Sequence, residues 1–173
     1  MRTTLTDTAP APELLADAVA LYGAAFGGAP YFETAEQAAG FGEQVQRHAR
    51  ERAGFRFVTV QDGDTLLALA MAVLARPGQW WRDQVAGRLS VADADRWLGP
   101  ECLEVIEVAV APAAHGRGLG RLVHDVLISG SPAPTGALIC HPEALAAQRL
   151  YTSRGWTRIG SMDDGRWLLA RDL

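Results

Sequence analysis

Two glutamates interrupt an apolar run, ECLEVIEVAVAP, and three glycines follow it in AHGRGLG. Glu104 and Glu107 are costly to bury in such a strand unless they are paired or functional, so each is a candidate proton acceptor. Gly116, Gly118 and Gly120 reach left-handed backbone and close approach, at about 0.5–1 kcal/mol each inside regular structure. An anion resting on bare amides at a strand-to-helix turn would compensate that cost. The helix N-terminus adds about half a positive charge, and Arg117 and Arg121 stand beside it. A tight turn that needs its glycines only for packing is equally compatible with the cluster.

Other chemistries lack their residues. A phosphate-binding P-loop needs GxxxxGK[ST], and no Lys-Ser or Lys-Thr pair occurs. The dinucleotide fingerprint GxGxxG is not met by Gly116-Arg117-Gly118-Leu119-Gly120, which also follows a late strand. There is no GxSxG elbow. The four histidines, His48, His115, His124 and His141, have no metal spacing, so no metal is expected. Cys102 and Cys140 form no CxxC pair and read as reduced, buried residues.

Surrounding elements must position these groups. PELLADAVALYGAAF has helical apolar spacing closed by Gly27 and Gly28, and a second helix begins near Thr34, with Gly40 and Gly42 weakening its middle. FRFVTV and TLLALAMAVLA flank an Asp62-Gly63 hairpin turn. Residues 76–100 break the pattern and carry Trp80, Trp81 and Trp97, with a short helix capped by Ser90. Beyond the glycine turn come a helix to Ile128, a strand ALIC, a helix from about Glu143 to Arg154, and a hairpin turning at 163–165. This order implies a sheet with helices on it.

The chain has 173 residues, 49% of them hydrophobic and 21% charged, with a net charge of −4. That fits a single globular domain over 1–173 with a Trp-rich insertion at 76–100. Mild acidity argues against nucleic acid. MRTTLTDTAP is not ordered as a signal peptide, and no apolar run reaches spanning length, so a soluble cytoplasmic protein without a membrane partner is expected.

VAVAPAAHGRGLGRLVHDVL resembles the acetyl-coenzyme A motif of the GCN5-related N-acetyltransferases, [QR]-x-x-G-x-[GA] opening a helix, over His115, Gly116, Arg117, Gly118, Leu119 and Gly120. His115 departs from the usual Gln or Arg. PEALAAQRLYTSRGWTRIG resembles the downstream A-x-x-[FL]-Y-x-x-x-G-[FW] element through Ala147, Leu150, Tyr151, Gly155 and Trp156.

The resemblance implies an α/β (α+β) fold with a mixed, mostly antiparallel sheet splayed at the cofactor strand. It implies an enzyme with acetyl-coenzyme A as co-substrate and direct transfer to a primary amine of a small molecule. Cofactor contacts would come from Val108, Ala109 and Val110 and from the turn 115–121, His115 through Arg121. Tyr151 matches the proton-donor position. Some relatives carry the base at the position of Glu104, many at that of Glu107. Glu104 is preferred here, with Glu107 as the alternative and a structural ion pair as the bland role for either. Trp80, Trp81 and Trp97 would line the acceptor side or fill a satellite core. Protein or peptide acetylation, and an inactive acyl-coenzyme A-binding module, are the competing readings. The apolar strand 65–75 suits either a homodimer contact or core packing.

Overall fold

Helix α2, Ala35–Glu51, begins where Thr34 can cap it: the Thr34 hydroxyl accepts the Gln37 amide at 3.2 Å, and the Gln37 side chain accepts the Thr34 amide at 2.8 Å. Its apolar face, Ala38, Phe41, Gly42 and Val45, follows helical spacing and is buried. Gly42 is where α2 meets α1, Pro12–Phe26: a Cβ there would stand 2.9 Å from Val19 Cγ2. Gly40, two residues earlier, faces open space. The two glycines therefore have different consequences for one helix.

The computed structural model describes all residues, Met1–Leu173. Seven strands form a sheet in the order β1-β2-β3-β4-β5-β7-β6. They are β1 Arg2–Thr6, β2 Arg56–Asp62, β3 Thr65–Ala75, β4 Cys102–Val110, β5 Thr135–Cys140, β6 Thr157–Ser161 and β7 Trp167–Asp172. The ladders β1–β2, β2–β3, β5–β7 and β6–β7 are antiparallel, and β4–β5 is parallel. The expected mixed, mostly antiparallel sheet flanked by helices is present. The β4–β5 ladder holds two residue pairs, Leu103–Gly136 and Glu104–Ala137, so β4 leaves its neighbour's register after Glu104.

The chain divides into two compact units, each assembled from two segments: Met1–Val73 with Glu107–Leu127, and Leu74–Ile106 with Ile128–Leu173. In the first, the β2–β3 hairpin turns at Gly63, whose φ of +58° only glycine adopts cheaply. β3 is buried from Ala68 onward, as a strand covered on both faces must be. The edge strand β1 was not legible in the sequence. Four of its five residues are exposed, so it has no apolar alternation, and its pairing from Arg2–Gln61 to Thr6–Phe57 holds it in place.

In the second unit, residues 76–100 form two short helices, α3 Trp80–Ala86 and α4 Val91–Trp97. Ser90 caps α4, accepting the Asp93 amide at 3.1 Å. Val85 and Leu98 are buried with Ala75, Cys102, Ala137 and Leu168, and Trp81 and Leu89 pack against that cluster. Arginines complete the attachment. Arg76 pairs with Glu101 at 2.6 Å, Arg82 reaches the Gly99 carbonyl at 3.1 Å, and Arg96 grips both oxygens of Asp172 at 2.7 and 2.9 Å. The remaining helix of this unit is α6, Leu145–Ser153.

Candidate active site

Within the first unit, β4 ends at Val110 and the chain turns through a short 3-10 segment, Pro112–Ala114, into α5, Leu119–Ile128. The Ala111 amide is fixed on the Leu67 carbonyl at 2.9 Å. Gly116 and Gly118 have φ of +75° and +76°, and a Cβ at either would meet nothing within 4 Å. Backbone conformation, then, and not space, demands glycine there. Gly120 lies inside α5, so a left-handed conformation is not its reason. The first helical bond runs from the Leu122 amide to the Gly118 carbonyl at 3.1 Å, leaving the amides of 119–121 without helical acceptors.

Leu119, Val123, His124 and Leu127 anchor α5 in the core, while Arg117 and Arg121 remain exposed. Bare amides, a helix N-terminus and two guanidinium groups can together hold an anion as extended as a diphosphate. His115 does something else. Its Nε2–H donates to the Val110 carbonyl at 3.1 Å, which fixes the tautomer and closes the turn. Val108 and Val110 are partly exposed and Ala109 is buried. Val108 and Val110 are thus the more accessible residues of the strand end.

Glu107 opens this segment. It is half-buried, and loss of water around its carboxyl pushes its pKa from 4.5 up to about 8, with repulsion from Glu33 adding to the shift. Its side chain makes no hydrogen bond or ion pair. Tyr22 of α1 lies in the same field: burial raises its phenol above the usual range, and the Glu107 and Glu33 carboxylates raise it further. Its ring stacks on Phe41 at 4.4 Å. Sequence reading missed Tyr22 and Glu33 as site residues. Tyr22 reads as one more apolar position of α1, and a glutamate just before a helix cap carries no motif.

The second unit holds the other predicted residues. Glu104 is 5% exposed, on the paired part of β4. Tyr151 of α6 is buried, its ring 5.8 Å from that of Trp156 in an edge contact. The three insertion tryptophans have different surroundings. Trp80 is 75% exposed, Trp81 packs on the core cluster, and Trp97 lies under the Arg96 guanidinium at 4.3 Å. No three His, Cys, Asp or Glu residues are grouped to hold a metal ion.

Among curated proteins, a GCN5-like protein acetyltransferase of Mycobacterium tuberculosis is 32% identical over 102 residues, covering 54% of this chain and 49% of that protein. The chain thus spans about half the length of the curated relative it matches. Among solved structures, a GNAT-family acetyltransferase of Streptococcus agalactiae superposes with a TM-score of 0.72 at 14% identity, covering 99% of this chain and 95% of that one. The PaiA N-acetyltransferase of Thermoplasma acidophilum, solved in complex with coenzyme A, gives a TM-score of 0.60 at 10% identity, with both chains covered throughout. At such identities the two structures speak for the fold alone. The family model, described as the acetyltransferase (GNAT) family, matches residues 18–156, and the chain belongs to that family.

Proposed function

We propose that the chain transfers an acetyl group from acetyl-coenzyme A directly to the primary amine of a small molecule, with Glu107 as the base. The observation that carries this reading is the Glu107 carboxyl itself, unpaired, on the strand that feeds the glycine turn, with a pKa of about 8. An alkylammonium has a pKa near 10.4. Proton transfer to a carboxylate of pKa about 8 is uphill by roughly 3 kcal/mol, against about 8 kcal/mol for a carboxylate at 4.5. Desolvation therefore turns a poor base into a serviceable one.

The residues present fit the cofactor. The amides of 119–121 with Arg117 and Arg121 would take its diphosphate, and the backbone at Val108 and Val110 its extended arm. The Val108 amide would polarise the thioester carbonyl. Glu107 would take the ammonium's proton, the amine nitrogen would then bond to the acetyl carbon as the carbon–sulfur bond breaks, and the second proton on that nitrogen would pass to solvent. Tyr151, at the donor position of the resemblance, is proposed to return a proton to the departing thiolate. The relative's name as a protein acetyltransferase favours a second reading, acetylation of a peptide amine.

Thiol release from acetyl-coenzyme A over a panel of small amines and peptides tests both readings. Glu107→Gln is expected to lower kcat/KM by about 10²–10⁴-fold, the usual worth of a general base, with coenzyme A affinity kept. If Glu104→Gln gives that loss and Glu107→Gln is silent, the base is Glu104.

A further inference from the structure

Position 136 of β5 holds a glycine because of space, not backbone conformation. Its φ lies outside the left-handed region, so strain is not the reason. A Cβ built there would come to 2.9 Å from Cη2 of Trp156, with the two δ carbons of Leu173 at 3.4 and 3.5 Å. The strand cannot back away, because Gly136 is paired with Leu103 of β4 on one side and Arg171 of β7 on the other. The indole is enclosed as well, for Trp156 is 4% exposed. A tight return after α6 brings the ring there. The Arg154 and Trp156 amides both donate to the Tyr151 carbonyl, at 2.9 and 3.1 Å, and Gly155 takes a φ of +77° between them. The residue that accepts both bonds is also the one whose ring Trp156 meets. The two rings are in edge contact, with centroids 5.8 Å apart and planes at 65°. Tyr151 is itself buried. A continuous line of contacts thus runs from Gly136 through the indole to the Tyr151 ring, all within the second unit.

We propose that Gly136 and Trp156 are positioning residues for Tyr151: the bare backbone at 136 seats the indole, and the indole sets the phenol that serves the departing thiolate. The proposal rests on the acetyltransferase reading, with Tyr151 as its donor, and deepens it. In that step the phenol O–H bond breaks, the S–H bond of coenzyme A forms, and the phenolate regains a proton from solvent. Gly136 and Trp156 take no part in the proton's path. Their effect is one of distance. A donor acts within hydrogen-bond reach, about 2.6–3.2 Å, and a misplacement of about 1 Å can cost on the order of 10²-fold. Non-bonded carbons rest at about 3.5–4.0 Å, so a methyl at 136 would drive the indole back by roughly half an ångström or more. The Tyr151 ring stands next in line.

A double-mutant cycle tests this line of contacts. Thiol release from acetyl-coenzyme A, with the amine of the panel that wild type uses fastest, is followed for Gly136→Ala, Trp156→Phe, Tyr151→Phe and their pairs, beside Tm. Tyr151→Phe should lower kcat by about 10²-fold or more. Gly136→Ala should lower kcat about tenfold and leave both KM values unchanged. In the Tyr151→Phe background Gly136→Ala should cost nothing further, because no donor remains to be misplaced. The smaller ring of Trp156→Phe makes room for the methyl, so adding it to Gly136→Ala should restore part of kcat. Should Gly136→Ala not fold, Trp156→Phe alone runs the same cycle, with a loss expected only where the Tyr151 phenol is present. An equal loss with and without that phenol overturns the proposal, as does an unchanged kcat in both Gly136→Ala and Trp156→Phe. A silent Tyr151→Phe also overturns it, yet leaves the acetyltransferase reading standing. Wild type that turns over no amine of the panel removes that reading and the proposal with it.

Discussion

At the scale of single residues, Glu107 makes a claim that can be tested without any substrate. Its folded pKa of about 8 lies above the ordinary 4.5. The folded state therefore holds this proton more tightly than the unfolded chain. Its contribution to stability is fully present below pH 4.5 and is lost as pH rises through 8, by a few kcal/mol on the order of 1.4 per pKa unit. Melting followed from pH 6 to 9 should show wild type losing stability that Glu107→Gln keeps. Parallel curves would mean that the carboxyl is not desolvated. In activity the same group should give a one-proton rise in kcat/KM up to about pH 8, absent in Glu107→Gln. Sequence alone exposed the two candidates, because a glutamate in an apolar strand stands out. Its preference for Glu104 took no account of Glu33, whose field on Glu107 comes from a loop more than seventy residues away.

Elements were legible in proportion to their local signal. Thr34 with Gln37 marked the start of α2, Ser90 that of α4, and Asp62-Gly63 the hairpin, each through a bond or torsion confined to a few residues. The edge strand β1 and helix α3 were missed because each depends on tertiary partners, β1 on its ladder and α3 on the cluster under Val85 and Trp81. The glycines of α2 show the same limit, for composition makes Gly40 and Gly42 alike. Gly40→Ala should raise stability by about 0.5–1 kcal/mol, since the new methyl meets nothing. Gly42→Ala gains the same propensity but drives its methyl to 2.9 Å from Val19, so a net loss is expected. Denaturant midpoints decide it, and equal gains would mean that α1 yields freely. In the turn, Gly118→Val forces a β-branched residue to φ +76° and should abolish coenzyme A binding by calorimetry while α5 stays anchored.

For the whole molecule, the sequence showed a break at 76–100 but not its use, because three tryptophans in 18 residues fit a substrate wall and a small core equally. In the structure their surroundings differ. Trp81 packs on the buried cluster that holds Val85, Leu98 and Leu168, so Trp81→Ala removes packing from it and should cost about 2–4 kcal/mol. Trp80 is 75% exposed at the start of α3, so Trp80→Ala should change stability by no more than about 0.5 kcal/mol. A catalytic use of Trp80 would then appear free of a folding effect. A raised acceptor KM in Trp80→Ala, at constant Tm and constant KM for acetyl-coenzyme A, would mark it as part of the acceptor side. Unchanged kinetics in Trp80→Ala, beside a destabilised Trp81→Ala, would leave residues 76–100 as a satellite core held by Arg76, Arg82 and Arg96.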